Sequence, residues 1–99
     1  MKEYRHPAID DVALESVMHA LADPCRLAIV RALRQAGREL ACNEFDLAVS
    51  KATCSHHFEV LRDAGLIETR IEGTKGLSKI REKELKRRFP GLLQLIDRE

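Results

Sequence analysis

The stretch from Ser50 to Arg81, SKATCSHHFEVLRDAGLIETRIEGTKGLSKIR, switches hydrophobic period once. That switch constrains the fold more than any other feature of the chain. With about 100° per residue, Cys54, Phe58, Leu61 and Gly65 share one side of a helix. Ala52, Ser55, His56, Glu59, Arg62 and Asp63 lie opposite. Ser50 is placed to cap the helix, its hydroxyl accepting from an orphan N–H, and Gly65 to end it where φ turns positive. The outward residues of the first two turns, Lys51, Ala52, Thr53, Ser55 and His56, are small or able to hydrogen-bond. Short side chains let a helix backbone approach base edges in a DNA groove, and hydroxyls and imidazole can donate or accept there. Taken alone, the segment also reads as an ordinary amphipathic surface helix, and the residues that follow decide between the two.

After Leu66 the period becomes 2. Ile67, Thr69 and Ile71 alternate with Glu68, Arg70 and Glu72, a Gly73-Thr74-Lys75-Gly76 turn follows, and Leu77 to Arg81 returns. Two short strands about a glycine-containing turn predict a β-hairpin. Arg70, Lys75 and Lys79 bring positive charge to it, as a wing touching phosphates or a minor groove would need. Lysine on an edge strand also guards against aggregation, so a merely solvated hairpin is the competing reading.

A chain of 99 residues makes one domain with a modest core and no room for a large enzyme cleft. The hydrophobic share of 44% beside ample charge predicts a globular chain. Tryptophan is absent and tyrosine occurs once, which leaves no aromatic platform for single-stranded bases. The formal charge of +1 confines any DNA contact to local patches. No apolar run has the length of a membrane span, and MKEYRHPAIDD lacks the apolar core of a signal peptide, so no membrane partner and a cytoplasmic location are expected. Three irregularly spaced cysteines argue against a disulfide framework. No catalytic triad, phosphate-cradling loop or pocket-forming carboxylate pair is apparent, so the chain is not expected to be an enzyme and no cofactor is expected.

Elsewhere the pattern predicts a first helix over Ile9 to Leu21 and a restart at Asp23-Pro24, with Asp as N-cap and Pro at the first helical position. The second helix runs to about Ala36, with Leu27, Val30 and Leu33 inward, Arg26, Arg31 and Arg34 flanking, and Gly37 as its end. Arg38 to Ala41 is expected as a strand against the wing, and Cys42 to Leu47 as a brief third helix. The Ala48-Val49 loop then leads to the Ser50 cap. Glu82 to Phe89 reads as a basic helix, and Pro90-Gly91 separates it from a last helix bearing Leu92, Leu93, Leu95 and Ile96. So apolar a terminus needs cover. A two-fold partner through Ile9, Val12, Leu92, Leu93 and Ile96 would supply it, and burial on the chain's own core is the alternative.

Leu21-Ala22-Asp23-Pro24-Cys25-Arg26-Leu27 resembles the LADPTRL opening of the second helix in the ArsR/SmtB family of bacterial repressors. Ser50 to Ile67 is similar to that family's S-x-x-T-V-S-x-H-L-x-V-L-R-x-A-G-L-V recognition helix, and Arg70, Glu72, Gly73 and Thr74 resemble its R-x-E-G wing. The resemblance spans roughly residues 14 to 81. It implies a mainly α winged helix-turn-helix with a small β-hairpin, acting as a homodimeric repressor on double-stranded DNA and released by a ligand or a redox event. The implied division is a single domain over residues 1–99, with dimerisation helices at 1–21 and 82–99, a helix-turn-helix at 42–64 and a wing at 67–81. On the matching positions Lys51, Ala52, Thr53, Ser55 and His56 would face DNA, joined by Arg62, Arg70 and Lys75, while His57 takes a packing position. The C-V-C-(D/E)-L metal box is not matched by Ala41-Cys42-Asn43-Glu44-Phe45, and no histidine follows His57 to build the last-helix zinc site, so no metal is expected. Glu59 replaces a residue often basic in the family and is expected beyond DNA contact.

Cys25, Cys42 and Cys54 remain as candidate sensors. Cys25, at a helix N-terminus beside Arg26, is expected to favour its thiolate. Cys42 and Cys54 flank the helix-turn-helix turn, where oxidation or trivalent arsenic would strain the recognition helix. Inert packing of all three is the plainer alternative. His6 and His19 are given no ligand role. A winged helix used only for protein contact is the remaining alternative, but Lys51, Thr53, Ser55 and His56 lack the apolar character such a surface needs.

Overall fold

The computed structural model describes residues 3–47 and 49–99, and Ala48 of the expected Ala48-Val49 loop lies outside them, as do the first two residues of the 1–21 segment. A 3-10 turn at Ile9–Asp11 precedes α1 (Leu14–Leu21) and α2 (Pro24–Ala36). Next come β1 (Leu40–Ala41), a second 3-10 turn at Cys42–Glu44, and α3 (Lys51–Asp63). The hairpin β2 (Ile67–Glu72) and β3 (Lys75–Ile80), then α4 (Glu82–Arg88) and α5 (Leu92–Arg98), complete the chain.

Local chemistry sets the ends of α2. Asp23 Oδ1 accepts from the backbone N–H of Cys25 at 2.8 Å and of Arg26 at 3.2 Å, Pro24 starts the helix, and Gly37 closes it at φ 63°. The cap bonds, that from Arg26 foremost, hold the Asp23 carboxyl below its ordinary value. Ser50 caps α3 by accepting from Thr53 N–H at 3.2 Å. Gly65 ends it at φ 74°, in a place where only glycine fits. A Cβ there would stand 2.9 Å from Val12 Cγ2 and 3.0 Å from Ile9 Cδ1.

The sheet has the order β1-β3-β2 and is antiparallel throughout. Leu40 pairs with Ser78, and Ile67 with Ile80. The wing is tighter than the sequence predicts. Glu72 already pairs with Lys75 and Ile71 with Gly76, so only Gly73 and Thr74 form the turn. Glycine first, at φ 64°, and an ordinary residue second suit a two-residue hairpin. Ile29, Val30, Leu61, Leu66, Ile67 and Leu85 lie at the centre of the core, where each fully buried side chain stabilises by about 1.5–3 kcal/mol.

Four expectations are corrected. The first helix is broken, because Val12 and Ala13 are extended. The Val12 carbonyl accepts from Arg88 Nη2 at 3.1 Å, and its side chain lies against Gly65. The third helix over Cys42 to Leu47 is a single 3-10 turn. Glu44 bends back to accept from Ala41 N–H at 2.9 Å, and Phe45 turns extended to set its ring edge-on to Phe58 at 5.2 Å. So short a helix cannot offset its nucleation cost without such help. Arg26, expected to flank α2, is only 8% exposed. Finally, Ile9, Val12, Leu92, Leu93 and Ile96, expected at a dimer interface, are all buried in the chain's own core. The first 3-10 turn packs on α4, α4 on α5 and α5 on α2, and together they cover these residues. The apolar residues left uncovered on the terminal helices are Leu14 and Met18 of α1 and Leu95 of α5, the last 57% exposed.

Candidate nucleic-acid interface

The expected base-reading residues sit together on one exposed face. Lys51, Ala52, Thr53, Ser55 and His56 all lie at the surface in the first two turns of α3. Thr53 is partly committed, its hydroxyl 3.0 Å from that of Ser50. Lys51, Ser55 and His56 enter no side-chain hydrogen bond or ion pair among the described residues, so their polar groups face solvent. Glu59 is exposed one turn further along the same helix. Arg62, expected at DNA, is half-buried and stacks its guanidinium over Tyr4 at 4.1 Å from the ring centre. Tyr4 also approaches Gly76, so the N-terminal segment bridges the end of α3 and the wing.

The wing differs in electrostatics. Arg70 is exposed, but Glu39 holds it through Nε at 2.8 Å and Nη2 at 2.9 Å, and Glu72 adds a contact at 2.7 Å. These bonds, the Glu39 one first, raise the Arg70 pKa and lower that of Glu39. Lys79 faces Glu68 at 3.4 Å. Lys75 is the expected wing cation with no ion pair among the described residues. The sequence expectation of a positive wing is therefore corrected for Arg70, because carboxylates from β1's approach and from its own strand neutralise it.

The inner face of α3 is held by a polar contact. Arg26 Nε donates to the Ala20 carbonyl at 2.7 Å and Nη2 to the His19 carbonyl at 3.3 Å, while Nη1 stands 3.2 Å from His57 Nδ1. His57 is 8% exposed, in keeping with its expected packing role. The guanidinium thus joins the end of α1, the start of α2 and the underside of α3. His6 also has a partner that its isolation in sequence concealed, accepting from Thr69 N–H at 2.9 Å.

The cysteines are free thiols, Cys42 exposed and Cys25 and Cys54 half-buried. Cys25 departs from expectation. Burial first, and the Asp23 carboxylate second, raise its pKa, outweighing Arg26. Burial likewise raises Cys54. One grouping escaped the sequence reading altogether: ligand atoms of Asp23, Cys25 and His57 lie within 4.8 Å of one another. Its signal was present as a D-x-C step at the α2 cap, but the third member comes from a distant helix.

A capped helix with an uncommitted polar outer face, packed beside a three-stranded sheet whose hairpin wing turns on two residues, defines a winged helix-turn-helix. Residues 21–70 match the family model described as a helix-turn-helix domain. The chain is 37% identical over 89 residues to the uncharacterized HTH-type transcriptional regulator YceK of Bacillus subtilis, covering 88% of this chain and 89% of that one. It is 42% identical over 59 residues to the candidate arsenical resistance operon repressor ArsR of Halobacterium salinarum, covering 58% and 46%. Among solved structures it is similar to the homodimeric winged helix-turn-helix DNA-binding domain of Mb0332 from Mycobacterium bovis, a possible ArsR-family regulator. That likeness has a TM-score of 0.67 and 31% identity, covering 87% of this chain and 79% of that one. The chain belongs to the ArsR family of winged helix-turn-helix proteins, and it is a DNA-binding transcriptional regulator. The family and fold are those of regulators rather than enzymes. Among the described residues no helix is long and apolar enough to cross a membrane.

Proposed function

We propose that this chain is a homodimeric repressor that reads an inverted-repeat operator with the outer face of α3. The observation that carries this reading is the exposed, uncommitted set Lys51, Ser55 and His56 in the first two turns of a capped helix. Ser55 and His56 contact base edges. Ala52 lets the backbone approach, Lys51 and Lys75 contact phosphate, and Thr53 contributes what its bond to Ser50 leaves free. Arg62, stacked on Tyr4, and Arg70, tied to Glu39, lie at the rim and contribute less. Residues 42–64 form the reading unit and 67–81 the wing, all within one domain over 1–99.

The partner packs on the terminal helices, within 1–21 and 82–99. Leu14 and Met18 support this, being one turn apart on α1 and exposed, as does Leu95 on α5. A two-fold pair would present two copies of α3 to half-sites about 34 Å apart. The protein acts in the cytoplasm, with the DNA it regulates.

The test is a mobility-shift assay with the DNA flanking the coding region, scanned for an inverted repeat, alongside sedimentation of the free protein. A shift restricted to the repeat and a dimer at micromolar concentration are expected. A Leu14→Asp, Met18→Asp variant should sediment as a monomer and lose the specific shift. Equal binding to repeat and scrambled DNA would refute the operator reading, and a monomeric wild type would refute the dimer.

A further inference from the structure

The fold brings Asp23, Cys25 and His57 to one place. Their potential ligand atoms, a carboxylate oxygen, a thiol sulfur and an imidazole nitrogen, all lie within 4.8 Å of one another. In a tetrahedral site with bonds of about 2.0–2.3 Å, ligand atoms stand roughly 3.3–3.8 Å apart. On binding, the three side chains must close that difference.

Each member is already positioned by something else. Asp23 uses Oδ1 for both cap bonds, to Cys25 N–H and Arg26 N–H, which leaves Oδ2 uncommitted. Cys25 is held by the first of those caps in the opening turn of α2, half-buried beside the carboxylate. His57 projects from the buried side of α3. Two ligands from a D-x-C step and one from a separate helix form an open three-ligand set, with water to complete the tetrahedron.

We propose that Asp23, Cys25 and His57 form a binding site for a borderline divalent cation, Zn2+ by its ligand chemistry. The mixed oxygen, sulfur and nitrogen donors suit that class of ion rather than Mg2+ or Ca2+, which take oxygen. On binding, the Cys25 thiol proton passes to solvent, and thiolate and carboxylate together balance the charge of the ion. Arg26 Nη1, 3.2 Å from His57 Nδ1, is the group that must yield. A metal at Nδ1 replaces the guanidinium directly. A metal at Nε2 sends the ring proton to Nδ1, which then no longer accepts from Arg26. In either case Arg26 keeps its bonds to the Ala20 and His19 carbonyls. Occupancy therefore exchanges a guanidinium tie between α2 and α3 for a metal tie.

Cobalt titration of the purified full chain tests this without DNA, so its outcome is separate from that of the operator reading. Co2+ should bind saturably at one equivalent with a thiolate-to-cobalt charge-transfer band that Zn2+ abolishes. Cys25→Ser should remove the band while its thermal unfolding shows the fold intact, and Asp23→Asn should weaken binding. Cys42→Ser, at an exposed position outside the group, should leave the band unchanged. X-ray absorption at the zinc edge should show one sulfur with nitrogen and oxygen neighbours. No band in the wild type, a band that survives Cys25→Ser, or loss of the band in Cys42→Ser would each overturn the site.

Discussion

Helix α3 and the wing carry similar polar side chains, yet the structure treats them oppositely. On α3 the outward groups of Lys51, Ser55 and His56 are left to solvent. On the hairpin, Arg70 is held by Glu39 and Glu72, and Lys79 faces Glu68. A cation already bound to carboxylates offers little to a phosphate unless those bonds are given up. The difference teaches that reading capacity follows from which groups are uncommitted, not from how many charges an element contains. Under the proposed function it gives recognition to the helix and leaves the wing, through Lys75, a modest electrostatic share.

The largest effect should come from removing the support that holds the helix face in place. Leu61 is fully buried on the inner side of α3, so Leu61→Ala should destabilise the fold by about 2–5 kcal/mol, measured by urea unfolding. A loss below about 1 kcal/mol would mean that α3 is not rigidly seated, and the contrast with the wing would weaken. Next in size, His56→Ala and Ser55→Ala should each cost about 1–3 kcal/mol on an operator while barely changing affinity for random DNA. Equal losses on both would assign these residues to the phosphate backbone instead.

The parts of this molecule that were legible in the sequence are those decided by neighbours in the chain. Asp23-Pro24 and Gly37 bound α2 because a cap, a fixed φ and a left-handed residue act locally. Ser50 and Gly65 did the same for α3, and its exposed face followed from periodicity. What stayed hidden depended on distant partners. Arg26 is buried because the carbonyls ending α1 and the His57 ring happen to meet it, and no spacing rule encodes that. Ile9 and Val12 read as interface because apolar periodicity cannot tell a chain's own core from a partner's. The pairing of Arg70 with Glu39 joins residues far apart in sequence, so counting charges made the wing look more basic than it is. The Asp23, Cys25 and His57 group was missed for the same reason.

Two smaller effects separate wing from helix more finely. Lys75→Ala should weaken specific and random DNA alike and reduce the slope of log affinity against log salt by about 1. Arg70→Gln should change that slope less than Lys75→Ala does, since its guanidinium is already engaged. If Arg70→Gln proves the more damaging, the carboxylates release Arg70 on DNA and the wing is the stronger contact.

The smallest effect is the converse, releasing Arg70 without removing it. Glu39→Gln deletes the two-point contact to Nε and Nη2 but leaves Glu72, so Arg70 should be partly freed. Affinity for random DNA should rise slightly and the salt slope steepen by less than about 1. Acid should act in the same direction. The Arg70 hydrogen bond, foremost, lowers the Glu39 pKa below its ordinary 4.5. A carboxylate depressed in the folded state contributes stability that is complete above the ordinary value and is lost as pH falls through the lowered one. The Glu39–Arg70 tie therefore persists at neutral pH and fails only in acid below the ordinary carboxylate range. Wild-type stability should fall more steeply there than that of Glu39→Gln, as read from parallel urea titrations across the acid limb. Superimposable acid limbs would mean that the Glu39–Arg70 pair contributes nothing in solution, which would leave Arg70 tied by Glu72 alone.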